Sequence, residues 1–345
     1  MKLLLPVLLG TAHALNDFFS GYLLAVISKN FSANTTTEML LLYGALAFGG
    51  QVPVGLMLNK NANLKLAVFL AIILLILGAS LSHTNYSILT LVVVGIASAL
   101  LHVAGGTWIL NIAPDRAGIT GIFVAPGVAG LALGGVLGSQ GILYVPIYTI
   151  VLAFILLIAI WKATPKYSTN YNSVDVQISP EFETHDAIML IILTAICLRS
   201  LLWDIINIYY VGRNYTLLLA TGFSAFTGKI IGGFISDALG WRRWLQISLP
   251  LSALLLGFFG NNAIALCLGV ALLQSTTPIM VRLMNTVFPG EPSIAIALSL
   301  GLGILLAGIP SFLPFFKENA HLVQISLCIA LPLFGWWVVR RLKKS

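Results

Sequence analysis

The sequence predicts an all-α polytopic membrane protein with twelve transmembrane helices in two six-helix pseudo-repeats. Three observations predict it. Charged residues make up 8% of the 345 and apolar ones 59%, with mean hydropathy +0.99, whereas a soluble domain carries about 25% charged residues. Apolar runs recur at the length of about 20 residues that crosses a hydrocarbon core. Finally, the polar turn Gly233-Phe-Ile-Ser-Asp237-Ala-Leu-Gly240-Trp-Arg242-Arg243 has a degraded echo in the first half, Gly55-Leu-Met-Leu-Asn59-Lys60-Asn-Ala62-Asn-Leu-Lys65. A polar turn repeated once per half marks a duplicated bundle whose halves move against each other, as in many secondary transporters.

Taken in order, breaks at Asn, Gly, Pro and charges place first-half helices near 3–28, 37–58, 64–82, 86–112, 117–138 and 141–162. Met1-Lys2 and the apolar run to Ala12-His13-Ala14 imitate a signal peptide. Apolar character resumes after Asp17 and continues to Ile27, so the expectation is an uncleaved first helix. The turn Ala113-Pro114-Asp115-Arg116 closes the fourth helix, and the fifth is rich in glycine, which lets backbones approach closely in lipid. Second-half helices are expected near 186–212, 215–236, 243–260, 262–288, 292–316 and 320–340, with Phe288-Pro289-Gly290-Glu291-Pro292 repeating the turn between the tenth and eleventh. The domains are therefore 1–162 and 186–345, joined by a polar linker, 163–185, on the membrane surface.

Lys and Arg fix the orientation. With both termini cytoplasmic, twelve fall on the cytoplasmic side and only Lys29, Arg213 and Lys317 outside, while Arg199, Lys229 and Arg282 lie within helices. The net charge of +7 is thus topology rather than a nucleic-acid surface. Cys197, Cys267 and Cys328 sit in apolar runs at spacings that suit neither a metal site nor a disulfide framework. No Walker-type loop, hydrolase elbow or zinc spacing occurs, so no enzymatic activity, cofactor or metal is expected. The expected setting is the plasma (inner) membrane. The expected partners are the lipid bilayer, protons and a small-molecule substrate, with the chain a monomer.

The turn from Gly233 to Arg243 resembles the signature between helices two and three, and eight and nine, of the major facilitator superfamily. The first-half copy has Asn59 where Asp is usual and Ala62 where Gly is usual. More narrowly, His13-Ala-Leu-Asn16-Asp17-Phe-Phe-Ser-Gly21 is similar to the opening of fosmidomycin-resistance-type transporters. Ala99-Leu-Leu-His102 with Gly105-Gly106, the Gly127, Gly130 and Gly134 run, and Phe288-Pro289-Gly290 leading to Ser299-Leu-Gly301-Leu-Gly303 also resemble that group. Val103 stands where that group usually has Pro. The resemblance implies proton-coupled efflux of a small, drug-like or anionic compound.

Ionisable groups at bilayer depth are costly and are retained mostly for pairing or function. His13 and Asp17, four residues apart, share a helix face about 6 Å apart along its axis. They read as a proton-coupling pair, with Asn16 beside them as a hydrogen-bond donor and candidate substrate contact, or else as a structural pair satisfying itself between helices. His102 lies near the midplane as a candidate substrate contact or a hydrogen-bonded core residue. Arg199 offers a guanidinium fork to an anionic substrate, or a salt bridge to Asp17 across the halves. Asp204, five residues on, points elsewhere and is a candidate for the substrate path or an outer gate. Arg282 reads as snorkelling to the interface, as does the deeper Lys229. Gly233, Asp237, Gly240, Arg242 and Arg243 read as a cytoplasmic latch, or as topology markers alone. Two alternatives to efflux stand: proton-coupled import of a small metabolite, and a non-transporting membrane assembly factor on the same scaffold.

Overall fold

A computed structural model describes residues 3–58, 63–82, 88–164, 184–212 and 214–341. Linker residues 165–183 and residues 59–62 of the first-half turn lie outside these. The described chain is helical throughout: α1 Leu4–Asn30, α2 Ala33–Met57, α3 Leu64–Ser82, α4 Ile88–Ile112, α5 Ala117–Gln140 and α6 Val145–Ala163. It continues through α7 Asp186–Val211, α8 Tyr215–Leu239, α9 Trp241–Phe259, α10 Ala263–Val287, α11 Pro292–Ser311 and α12 Ala320–Arg341.

Ten of these helices are long and apolar enough to cross a membrane. The other two are α1 and α9. His13, Asn16 and Asp17 in the middle of α1, and Arg242 and Arg243 at the start of α9, lower their mean hydropathy. The expected ends shift where side chains cap backbone. α2 begins at Ala33 rather than residue 37, because the Ser32 hydroxyl accepts from the Thr35 amide at 3.3 Å and draws the polar Asn34-Thr-Thr run into the first turn. Two helices expected to be continuous are not. α10 breaks between Gln274 and Thr277, where the Thr276 hydroxyl bonds back to Leu273 O and Pro278 cannot donate. α11 ends at Ser311, with a further turn at Pro314–Glu318. π-helical turns interrupt α2 at Ala45–Gly49, α7 at Asn207–Val211 and α11 at Ala297–Leu302.

Packing places α5 in the middle of a stack, with α1 on one side and α8 on the other. Small residues set that closeness. A β-carbon on Gly134 would overlap the Phe18 carbonyl oxygen of α1, and one on Gly121 would come within 2.7 Å of the Lys229 carbonyl oxygen of α8. Without a hydrophobic drive between helices in lipid, such backbone proximity is what holds them. On the other side of the molecule α2 and α4 meet α11. Among the described residues the two halves thus touch where α5 meets α8 and α10, and where α2 and α4 meet α11.

Candidate functional site

α1 and α4 bring His13, Asn16, Asp17, Ser98 and His102 into one polar cluster inside an apolar wall. Asn16 is 0%, His13 4% and His102 6% exposed. The Asp17 carboxylate is the centre: His13 Nε2 lies 3.1 Å from Oδ2, His102 Nε2 lies 3.8 Å from Oδ1, and Asn16 Nδ2 donates to Oδ1 at 3.0 Å. Asn16 Nδ2 also donates to Ser98 Oγ at 3.1 Å. The two imidazoles meet edge to face, their centroids 4.3 Å apart.

Backbone carbonyls fix both rings. His13 Nδ1 lies 2.8 Å from Phe123 O on α5, and His102 Nδ1 lies 2.8 Å from its own Ser98 O. A carbonyl only accepts, so each Nδ1 carries a hydrogen and donates it. Each Nε2 is then the position that gains or loses a proton, and both face Asp17. Between His13 Nε2 and Asp17 Oδ2 a single proton completes the bond, whichever atom holds it covalently. Gly127 makes room: a β-carbon there would come within 2.5 Å of Asp17 Oδ2 and overlap His13 Nε2.

Arg199 on α7 forms a second buried site. It is 5% exposed, with Nη1 donating to Gln274 Oε1 and Thr277 Oγ1, and Nη2 to Ser200 Oγ, each at 2.9 Å. Gln274 and Thr277 flank the break in α10, so the interrupted helix supplies the acceptors. All three are neutral, and Nε has no partner. Among the described residues no ion pair forms between Arg199 and Asp17 or between Arg199 and Asp204. The expected cross-half bridge is therefore not made in this arrangement. Lys229 on α8 lies within electrostatic range of Asp17, His102 and Arg199. A buried guanidinium ringed by neutral acceptors is a costly arrangement that an anion would relieve.

At the end of the bundle carrying the repeated turns, Asp237 of α8 reaches across to α5. Its Oδ1 accepts from the Ala117 amide and its Oδ2 from the Gly118 amide, both at 2.9 Å. These amides have no intrahelical partners, and the positive end of the helix dipole favours a carboxylate there. Gly233 lies flat against the same point, where a β-carbon would come within 2.7 Å of Ala117 O. Gly240 turns the chain at φ +89°, a conformation that favours glycine. Arg242 stacks over Trp241 at 5.1 Å, and the carboxylate accepts from the two helix amides. Arg282 spans the halves too, reaching Asp115 at 3.9 Å from an exposed carboxylate. Its stem thus reaches outward to the exposed turn, as a snorkelling side chain does.

Several functional side chains escaped sequence reasoning. Ser98 is four residues before His102, so it was findable from helical spacing. Gln274, Thr277 and the Phe123 carbonyl carry no signal of their own, because their role comes from what packs opposite them.

No family model matches the chain. Among solved structures it is similar to the Escherichia coli fucose:proton symporter FucP, at 14% identity over 97% of each chain with TM-score 0.69. It is similar to the major facilitator superfamily transporter FucP in the outward conformation, at 13% identity over 98% of each chain with TM-score 0.73. It is also similar to the human organic anion transporter MFSD10 (TETRAN), at 13% identity over 98% of this chain and 99% of that one, with TM-score 0.72. At such identities the likeness is one of fold. The chain has the major facilitator fold, and these neighbours are transporters, not enzymes.

Proposed function

We infer that the chain is a secondary active transporter of twelve transmembrane helices. Its six-helix halves, 1–162 and 186–345, are joined by the cytoplasmic linker 163–185, and it exports a small anionic or drug-like compound by alternating access coupled to protons. It works as a monomer in the plasma (inner) membrane with both termini cytoplasmic. The observation that carries this reading is the partly buried Asp17 carboxylate held between two imidazoles whose Nε2 atoms converge on it. Asp17 and His13 take the proton. His102 transmits its presence, Asn16 orients the carboxylate, and Arg199 meets the substrate anion, with Asp204 lining the path outward. Asp237 closes the cytoplasmic side while the outer side is open.

Replacing Asp17 by Asn in proteoliposomes is expected to abolish proton-driven uphill transport while substrate exchange continues. Undiminished uphill transport in that variant rejects the assignment.

Import by proton symport is the second reading, favoured by the likeness to a fucose:proton symporter. An imposed inward pH gradient separates the two: export moves substrate out against the proton flow, import moves it in with the protons. The assembly-factor alternative predicts no gradient-dependent flux in either direction.

A further inference from the structure

We propose that His13, Asp17 and His102 form a binding site for a divalent transition-metal ion of the zinc class. The three donor atoms, one from each residue, lie within 4.8 Å of one another in the interior of the bundle. The separation of His13 Nε2 from Asp17 Oδ2 is 3.1 Å, and that of His102 Nε2 from Asp17 Oδ1 is 3.8 Å. Ligand atoms about 2.0 Å from a tetrahedral ion sit about 3.3 Å apart, so small side-chain rotations close the set around an ion.

The surrounding shell fits that role. A metal-binding imidazole donates its other ring N–H to a carbonyl or carboxylate, which fixes the ring and points the free nitrogen at the ion. Both rings here do so, His13 to Phe123 O and His102 to Ser98 O. Asn16 Nδ2 steadies the carboxylate, and Asn16 Oδ1, fully buried without a partner, adds an oxygen to the cluster. Gly127 lets both ligands lie directly against α5, since a β-carbon there would overlap His13 Nε2 and come within 2.5 Å of Asp17 Oδ2. Two imidazole nitrogens with one carboxylate favour zinc, nickel or cobalt over magnesium or calcium, which prefer all-oxygen sets.

The consequence for transport rests on the proposed function: an ion on these atoms occupies the same lone pairs as the coupling proton, so it arrests the cycle. Binding itself does not depend on that reading. Calorimetric titration of the detergent-purified full chain with Zn²⁺ is expected to show one micromolar site per chain, absent with Mg²⁺. His102→Ala is expected to weaken it at least tenfold, while His321→Ala leaves it unchanged. Co²⁺ added to the unmutated protein supplies a readout that survives a variant failing to fold: intense visible bands of four-coordinate cobalt are expected. Zn²⁺ affinity equal in His102→Ala and unmutated protein, or only the pale spectrum of hydrated cobalt, overturns the proposal. Either result leaves the proton-driven flux assay to stand or fall separately.

Discussion

Removing the Asp237 carboxylate should release the basic end of the bundle. Both oxygens accept from α5 amides at 2.9 Å, across the boundary between the halves. Hydrogen bonds to a charged partner contribute about 1.5–3 kcal/mol each, and a carboxylate at a helix N-terminus adds about 0.3–1 kcal/mol. Asp237 is only partly buried, so the low end of each range applies. Asp237→Ala then loses about 3.3 kcal/mol of the closed arrangement, roughly a two-hundredfold shift at 1.4 kcal/mol per decade. Asp237→Asn should lose nearly as much, since its NH₂ group confronts one of the two amides. The assay is alkylation of a single cysteine at Ser236, which is fully buried beside the contact, with Cys197, Cys267 and Cys328 replaced by alanine. Maleimide added from the basic side of inside-out vesicles is expected to label the Asp237 variants at least tenfold faster. Equal labelling rates would mean that α5 and α8 are held by their glycine seam alone and that the carboxylate is no latch.

Arg282→Gln is the contrasting case: its pair with Asp115 is long and largely exposed, worth under about 1 kcal/mol, and labelling at Ser236 should change less than fivefold. Gly127→Ala places a methyl group against His13 and Asp17 and is expected to abolish proton coupling while the helix content by circular dichroism persists. Gly134→Ala collides with α1 backbone instead, so a fall in thermal stability in detergent, of several degrees, is the readout. For Arg199→Lys, substrate KM is expected to rise about tenfold, because an ammonium cannot reproduce the two-pronged guanidinium geometry; an unchanged KM would remove Arg199 from the substrate site.

The helical rods were largely legible because lipid imposes a simple rule, about 20 apolar residues between polar breaks. That rule still finds α1, expected near 3–28 and observed at Leu4–Asn30 although His13, Asn16 and Asp17 depress its hydropathy, but it is blind to the interruption of α10. Ser275, Thr276 and Pro278 lie at the break, but the rule runs one helix across 262–288, and the guanidinium packed opposite uses the acceptors that the break supplies. His13 and Asp17 could be paired from helical spacing. His102 could not be joined to them, since its place depends on how α4 lies against α1. The turn at Asp237 announced itself by composition, while its partners, two backbone amides, have no side-chain identity for a sequence to display.

One helix carries contacts from both regions. Near its start α5 gives the amides of Ala117 and Gly118 to Asp237, and about 8 Å further along its Phe123 carbonyl holds the His13 ring. Another turn on, Gly127 forms the wall behind Asp17. From Ala117 to Phe123 the helix is uninterrupted, so a tilt at one of these two points moves the other, while Pro126 offers a bend just before Gly127. In the proposed function, protonation in the interior and closure at the surface therefore act on the same helix, with no relay of side chains between them.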